Sequence, residues 1–155
     1  ENYRRLTRIP APIRTQISIA ELFTDLKKLF PEEEFQFEVP SPELKLNVDR
    51  TQIEQILINL LKNAREACSR KSDKKIQVKA RKLSAGNTTL TISDNGEGIL
   101  PDVLDKIFVP FFTTKTSGSG IGLSLCKQIM TLHEGSINVK SEVGKGSSFI
   151  LTFPK

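Results

Sequence analysis

Residues 49–68 read DRTQIEQILINLLKNAREAC, and this stretch decides how the rest of the chain is arranged. Asp49 followed by Gln52 makes a capping box, in which a side-chain oxygen satisfies an orphan backbone N–H at a helix start. Ile53, Ile56, Leu57, Leu60 and Ala64 recur at helical spacing, so the stretch predicts one long helix from Asp49 to about Cys68 with a single buried face. Gln52, Asn59, Asn63 and Glu66 form a polar line along the flank of that face. Asn59 and Asn63 stand one above the other, four residues apart. They border either a cleft or open solvent. A carboxamide oxygen is a neutral ligand, suited to a magnesium ion that already carries phosphate oxygens and waters.

Working outward from this helix, strands come in pairs. Before it, Phe35 to Val39 and Leu44 to Val48 alternate apolar and polar side chains, which predicts two adjacent strands. After it, Ile76 to Ala80 and Leu90 to Ser93 alternate around Gly86-Asn87, a hairpin. A last pair, Ser136 to Ser141 and Ser148 to Phe153, flanks Gly144-Lys145-Gly146. Two further helices are predicted. One opens on the capping box Ser18 to Glu21 and carries Ile19, Leu22, Phe23, Leu26, Leu29 and Phe30 on one face; the other runs from Ile121 to His133. Glu1 to Ile9 reads as a helix tail broken at Pro10-Ala11-Pro12. Paired strands argue against a doubly wound parallel sheet and for a two-layer α+β sandwich.

Between Asp94 and Gly122 lies a long loop that holds most of the chain's nine glycines, with a short helix expected at Asp102 to Phe108. Loops of this length are usually functional or disordered. It opens on Asp94-Asn95-Gly96-Glu97-Gly98, directly after an apolar strand. A carboxylate at a strand end can accept from an exocyclic amino group, and glycines let backbone approach a flat ring. The same residues fit a plain turn or a calcium-like loop equally well. The loop closes on Gly118-Ser119-Gly120-Ile121-Gly122 at a helix start, where backbone N–H groups bind phosphate; with no strand before it, this is a poor dinucleotide fingerprint.

Composition sets outer bounds. The 155 residues suit one compact domain, and 37% apolar with 26% charged residues is ordinary for a soluble globular chain. No apolar run approaches the roughly 20 residues that span a bilayer, and no secretory signal is visible, so the cytoplasm is the expected location. Membrane attachment of a larger receptor stays open. Cys68 and Cys126 lack metal or disulfide spacing and read as free thiols. The net charge of +5 comes from 23 Lys and Arg that are scattered and not interleaved with aromatics, so no nucleic-acid partner is expected.

Taken in order, five segments resemble the boxes of the ATP-binding domain shared by histidine kinases, type II topoisomerases, Hsp90-like chaperones and mismatch-repair ATPases. Asn59 to Ala67 resembles the asparagine box, Asp94 to Ile99 the first glycine box and Phe108 to Phe112 the phenylalanine box. Gly118 to Gly122 resembles the second glycine box and Gly144 to Ser147 the last. Within that superfamily, residues 110–115, Pro-Phe-Phe-Thr-Thr-Lys, are most similar to sensor histidine kinases of the nitrogen-regulation type.

The resemblance implies a Bergerat fold: a left-handed β-α-β sandwich whose mixed, mostly antiparallel sheet is covered on one face by about three helices. It implies an ATP site in which Asp94 holds adenine beside Gly96, Gly98 and Ile99, Asn63 binds magnesium, and Asn59 lies near the phosphates. Phe112, Thr114, Lys115, Gly118, Ser119, Gly120, Ile121, Gly122 and Leu123 are implied around the nucleotide, with Ser147 from the last box. Asn59 and Lys115 are the implied catalytic residues. Superfamily ATPases carry a glutamate where this chain has Asn59, and an amide cannot act as a general base, so slow hydrolysis and transfer to an external histidine follow.

The implied organisation is the end of a dimerisation helix and linker at 1–12, then a catalytic domain at 13–155 with a lid at about 100–119. The implied partners are the chain's own phosphoacceptor domain, in a homodimer, and indirectly a response regulator. His133 follows a helix and precedes Glu134-Gly135, where it complements the helix C-terminal dipole; it is not read as the phosphorylated residue. Glu134 departs from the glycine common there, and Ser147 replaces a common threonine while keeping the hydroxyl. Of Phe111 and Phe112, either one docks on the dimerisation helix or both pack in the core. An inert nucleotide-binding module and an anti-sigma-type serine kinase are the alternatives.

Overall fold

The computed structural model describes residues 9–110, 112 and 122–155. The expected helix tail at 1–8, Phe111, and the loop residues Thr114, Lys115, Gly118, Ser119, Gly120 and Ile121 lie outside them. A five-stranded sheet forms one layer, from strands β2 (Phe35–Glu38), β4 (Ile76–Lys82), β5 (Thr88–Asp94), β6 (Ser136–Glu142) and β7 (Gly146–Phe153), in the order β2-β4-β5-β7-β6. Only β2 and β4 run parallel; the other pairs are antiparallel. Helices α1 (Ile19–Leu29), α2 (Arg50–Ala67) and α4 (Gly122–Leu132) form the second layer. The mixed, mostly antiparallel sheet with three helices is the expected α+β sandwich.

Each long helix starts where its cap dictates. Ser18 Oγ accepts from Glu21 N–H at 3.2 Å, and Asp49 Oδ1 from Gln52 N–H at 3.1 Å. The second capping box is one-sided, because Gln52 turns away from Asp49 and donates Nε2 to Pro10 O at 2.9 Å. The alternation in β5 is read out directly: Leu90 and Ile92 are buried under α2, while Ser93 on the other face shares a 2.8 Å hydrogen bond with Ser148 of β7. Ile53, Ile56, Leu57, Leu60 and Leu61 of α2 are at most 1% exposed. Each such side chain contributes about 1.5–3 kcal/mol by leaving water, so α2 is the hub of the core. Cys68 and Cys126 are free thiols in that core; burial pushes the Cys126 thiol up to about 12.

Two expectations need correction. The runs before α2 are not adjacent strands: β2 joins the large sheet beside β4, whereas β3 (Lys45–Val48) pairs antiparallel with β1 (Thr15–Ser18) in a separate two-stranded sheet. Pro40 and Pro42 between the two runs lack the N–H groups that a hairpin ladder needs. The short helix is α3 (Pro101–Leu104), with turns and not helix through Phe108. Leu100 at its N-cap offers no side-chain hydrogen bond, and residues 105–108 form turns.

Candidate functional site

The end of α2, the end of β5, the start of α4 and the β6–β7 turn converge on one place. Asn59 and Asn63 are half-buried there, and Asn63 Nδ2 donates to Asn59 Oδ1 at 3.3 Å. One turn further on, the Ala67 carbonyl accepts from Glu97 N–H at 3.1 Å. Gly96 lies against that same carbonyl so closely that a Cβ on it would come within 2.5 Å of the oxygen. The first glycine-rich segment is therefore pinned to the helix that carries the asparagines.

Gly122 begins α4 beside Asn59, where a Cβ would collide with the carboxamide. The N-terminal end of a helix, with its partial positive charge, thus opens next to two neutral oxygen donors. Such a pair is poor at holding a bare cation and good at sharing one with phosphate oxygens. Among the described residues no group of three or more His, Cys, Asp or Glu side chains is gathered to hold a metal ion.

Asp94 ends β5, and its strand partner is Ser147. Burial raises its carboxyl above the ordinary aspartate range, while backbone N–H groups of Gly96 and Ser147 pull the other way. The Gly96 bond is an Asx turn at 2.8 Å. The β6–β7 turn closes this side. Gly144 N–H donates to Glu97 O at 2.8 Å, and Gly98 (φ 78) lies against the Glu142 carbonyl. Ile99 N–H donates to Ser141 Oγ at 2.8 Å, and the same hydroxyl sits 2.8 Å from Ser147 Oγ. The Ser147 hydroxyl is thus engaged within the wall.

The structure brings together Asn59, Asn63, Asp94, Gly96, Gly98, Ile99, Gly122 and Ser147. Leu123 packs on the core beside Gly122, and Phe112 donates its N–H to Val109 O at 3.2 Å. Two residues of the site were missed. Asn95 fastens the loop to the α2–β4 connection, accepting from Lys75 N–H at 2.9 Å and donating to Asp73 O at 2.8 Å. Ser141 bridges Ile99 to Ser147. Neither belongs to a spacing pattern, because their partners lie far away in sequence. Gln52, read as part of the polar line, is buried at the far end of α2.

Comparison with known proteins agrees with this geometry. Residues 48–155 match the family described as histidine kinase-, DNA gyrase B-, and HSP90-like ATPase. The chain is 42% identical over 109 residues to the signal transduction histidine-protein kinase AtoS of Escherichia coli K12, covering 70% of this chain and 18% of AtoS. It is 39% identical over 110 residues to the sensor histidine kinase ZraS of Salmonella typhimurium, covering 71% and 23%. The chain therefore spans about a quarter or less of the curated relatives it matches. The crystallised catalytic domain of histidine kinase ThkA superposes with a TM-score of 0.80 at 35% identity, over 92% of this chain and 95% of that one. Full-length ShkA in complex with AMPPNP gives 0.83 at 25% identity, over 98% of this chain and 33% of that one.

Proposed function

We propose, from the premise that this chain belongs to the histidine kinase-, DNA gyrase B-, and HSP90-like ATPase family, that it is the Mg-ATP-binding catalytic domain of a sensor histidine kinase of the nitrogen-regulation type. It transfers the γ-phosphoryl group to a histidine on a separate dimerisation domain of a homodimer. The observation that carries this reading is the meeting of Asn59, Asn63, Asp94 and the start of α4 in one cleft. The Asp94 carboxylate is suited to accept from the exocyclic amino group of a flat ring. Magnesium supplies charge neutralisation to the phosphates, and Asn63 is the residue to hold it. Asn59 orients phosphate without activating water, since an amide is no base; phosphoryl transfer needs chiefly positioning and charge stabilisation.

Residues 1–12 belong to the linker and dimerisation helix, and 13–155 to the catalytic domain. Lys115 with Thr114 and the loop from Gly118 to Ile121 approach the phosphates as part of a lid. A ThkA structure in complex with the response regulator TrrA supports a response regulator as downstream partner. Among the described residues no helix is long and apolar enough to cross a membrane.

Two outcomes are expected. Asn63→Ala lowers magnesium-dependent ATP affinity by about ten-fold, the loss of one oxygen ligand, and leaves metal-free binding intact; calorimetry with and without magnesium measures both. The isolated chain, given γ-labelled ATP, does not label itself. With its histidine-bearing helix added it yields an acid-labile, base-stable phosphoryl group on that helix, slowly compared with the tethered protein. Label on His133, or on no histidine in the tethered protein, would overturn the kinase reading in favour of an inert nucleotide-binding module.

A further inference from the structure

Residues 10–14 are fastened to the domain by side chains that the nucleotide site does not use. Ile13 N–H donates to Asp49 Oδ2 at 3.0 Å, the contact that does most to hold this carboxyl below its ordinary range. Gln52 donates to Pro10 O from the same end of α2. Asp49 N–H in turn donates to His133 Nε2 at 3.1 Å, and His133 Nδ1 lies 2.9 Å from Ile129 O. A backbone N–H can only donate, so Nε2 is bare and Nδ1 carries the proton. His133, expected to complement a helix dipole, is a buried link between the end of α4 and the start of α2. On the other side, Arg14 Nη2 donates to Leu132 O at 3.0 Å and meets Glu134 Oε1 at 3.4 Å.

Two features of this junction work against stability. Glu134 holds φ 60 just past α4, where glycine is favoured and a side chain costs about 1–2 kcal/mol. Its ion pair with Arg14, whose side chains are 76% and 32% exposed, returns at most about 1 kcal/mol. Gln52 is buried with Oε1 lacking a hydrogen-bond partner among the described residues. Strain and an unsatisfied amide are retained where they fix the path of residues 10–14. The junction also reaches the nucleotide site, because α4 ends at Arg14 and begins beside Asn59. The 11 residues of α4 thus link the junction to the neighbourhood of Asn59.

We propose that Arg14 and Glu134 are positioning residues for phosphotransfer: they hold residues 10–14 in one place against the end of α4, so that releasing the segment slows transfer without weakening ATP binding. The proposal rests on the kinase reading and adds its control by residues 10–14. The test uses the full-length protein with Arg14→Ala, Arg14→Lys and Glu134→Gly. Glu134→Gly relieves the positive φ, so its melting temperature rises. Even so, the Ile13 amide exchanges about ten-fold faster, transfer at saturating ATP slows about five-fold, and KM for ATP stays at the wild-type value. Arg14→Ala slows transfer similarly, and Arg14→Lys restores part of it. Transfer that follows melting temperature across the three variants, or unchanged transfer and Ile13 exchange, overturns the junction. A wild-type protein that phosphorylates no histidine overturns the kinase reading itself, whatever the Ile13 exchange rate.

Discussion

Asp94→Asn is expected to lower ATP affinity by roughly ten- to a hundred-fold while leaving the empty domain as stable as before or more stable. An asparagine keeps an oxygen for the Gly96 N–H, but turning its amide that way points N–H groups at the amino group of the ring. Two donors then face each other, and a buried donor left unpaired costs about 1–3 kcal/mol. Stability moves the other way. Burial raises the folded-state carboxyl above its unfolded value of 3.8, so the native state takes up its proton first. The domain therefore loses stability at this residue as pH rises from that value through the folded one. Removing the charge removes the penalty at neutral pH. In the wild type, ATP affinity should fall on acidification while the pH is still above 3.8. Calorimetric titration and thermal melts of both proteins across pH 4–7 measure these effects; unchanged affinity in Asp94→Asn would remove Asp94 from the adenine site.

Gly146→Ala is expected to cost about 4 kcal/mol, with a fall in melting temperature of about 10 °C for a domain of this size. Gly146 holds φ 129, and a Cβ there would run into the Asp94 carbonyl oxygen and come 2.9 Å from Asn95 Cα. All of these are backbone atoms of the neighbouring strand end, so no rotamer can move them aside. Gly144→Ala is the control. It has φ 81 but nothing within 4 Å of a Cβ, so only the conformational strain of about 1–2 kcal/mol applies. Equal melting temperatures for the two variants would show that crowding of Asp94 by β7 is absent. A difference would mean that the end of β5 and the start of β7 are held in close backbone contact.

The three long helices and the two hairpins were legible because their signals are local: a cap, a repeat of 3.6 or 2, a turn glycine. Asp49 and Ser18 mark helix starts within one residue. β1 was not legible, since four residues with only Ile17 buried carry no pattern. The partner of β3 was misread because pairing is decided by which edge is free, and sequence proximity is a weak guide once prolines intervene. The ordering of the boxes brought Asn59, Asn63, Asp94 and Gly122 to notice. Asn95 and Ser141 stayed hidden because hydrogen bonds to distant segments leave no trace in spacing. The junction of residues 10–14 with α4 was hidden for the same reason, although Glu134 was visible as a departure.

The strand order also constrains how this chain is made. β7 comes last in sequence, yet it lies between β5 and β6. A ribosome that has released everything up to residue 145 has produced a β5 with one open edge and a β6 with no neighbour in the sheet. Leu90 and Ile92 then lack Leu151 and Phe149 beside them. Such an edge is a template for association with other chains. At roughly 5–20 residues per second, the interval before β7 emerges is short, but a chain stalled there lacks the strand that joins β5 to β6. Until β7 inserts, β5 keeps an open edge and β6 has no partner in the sheet.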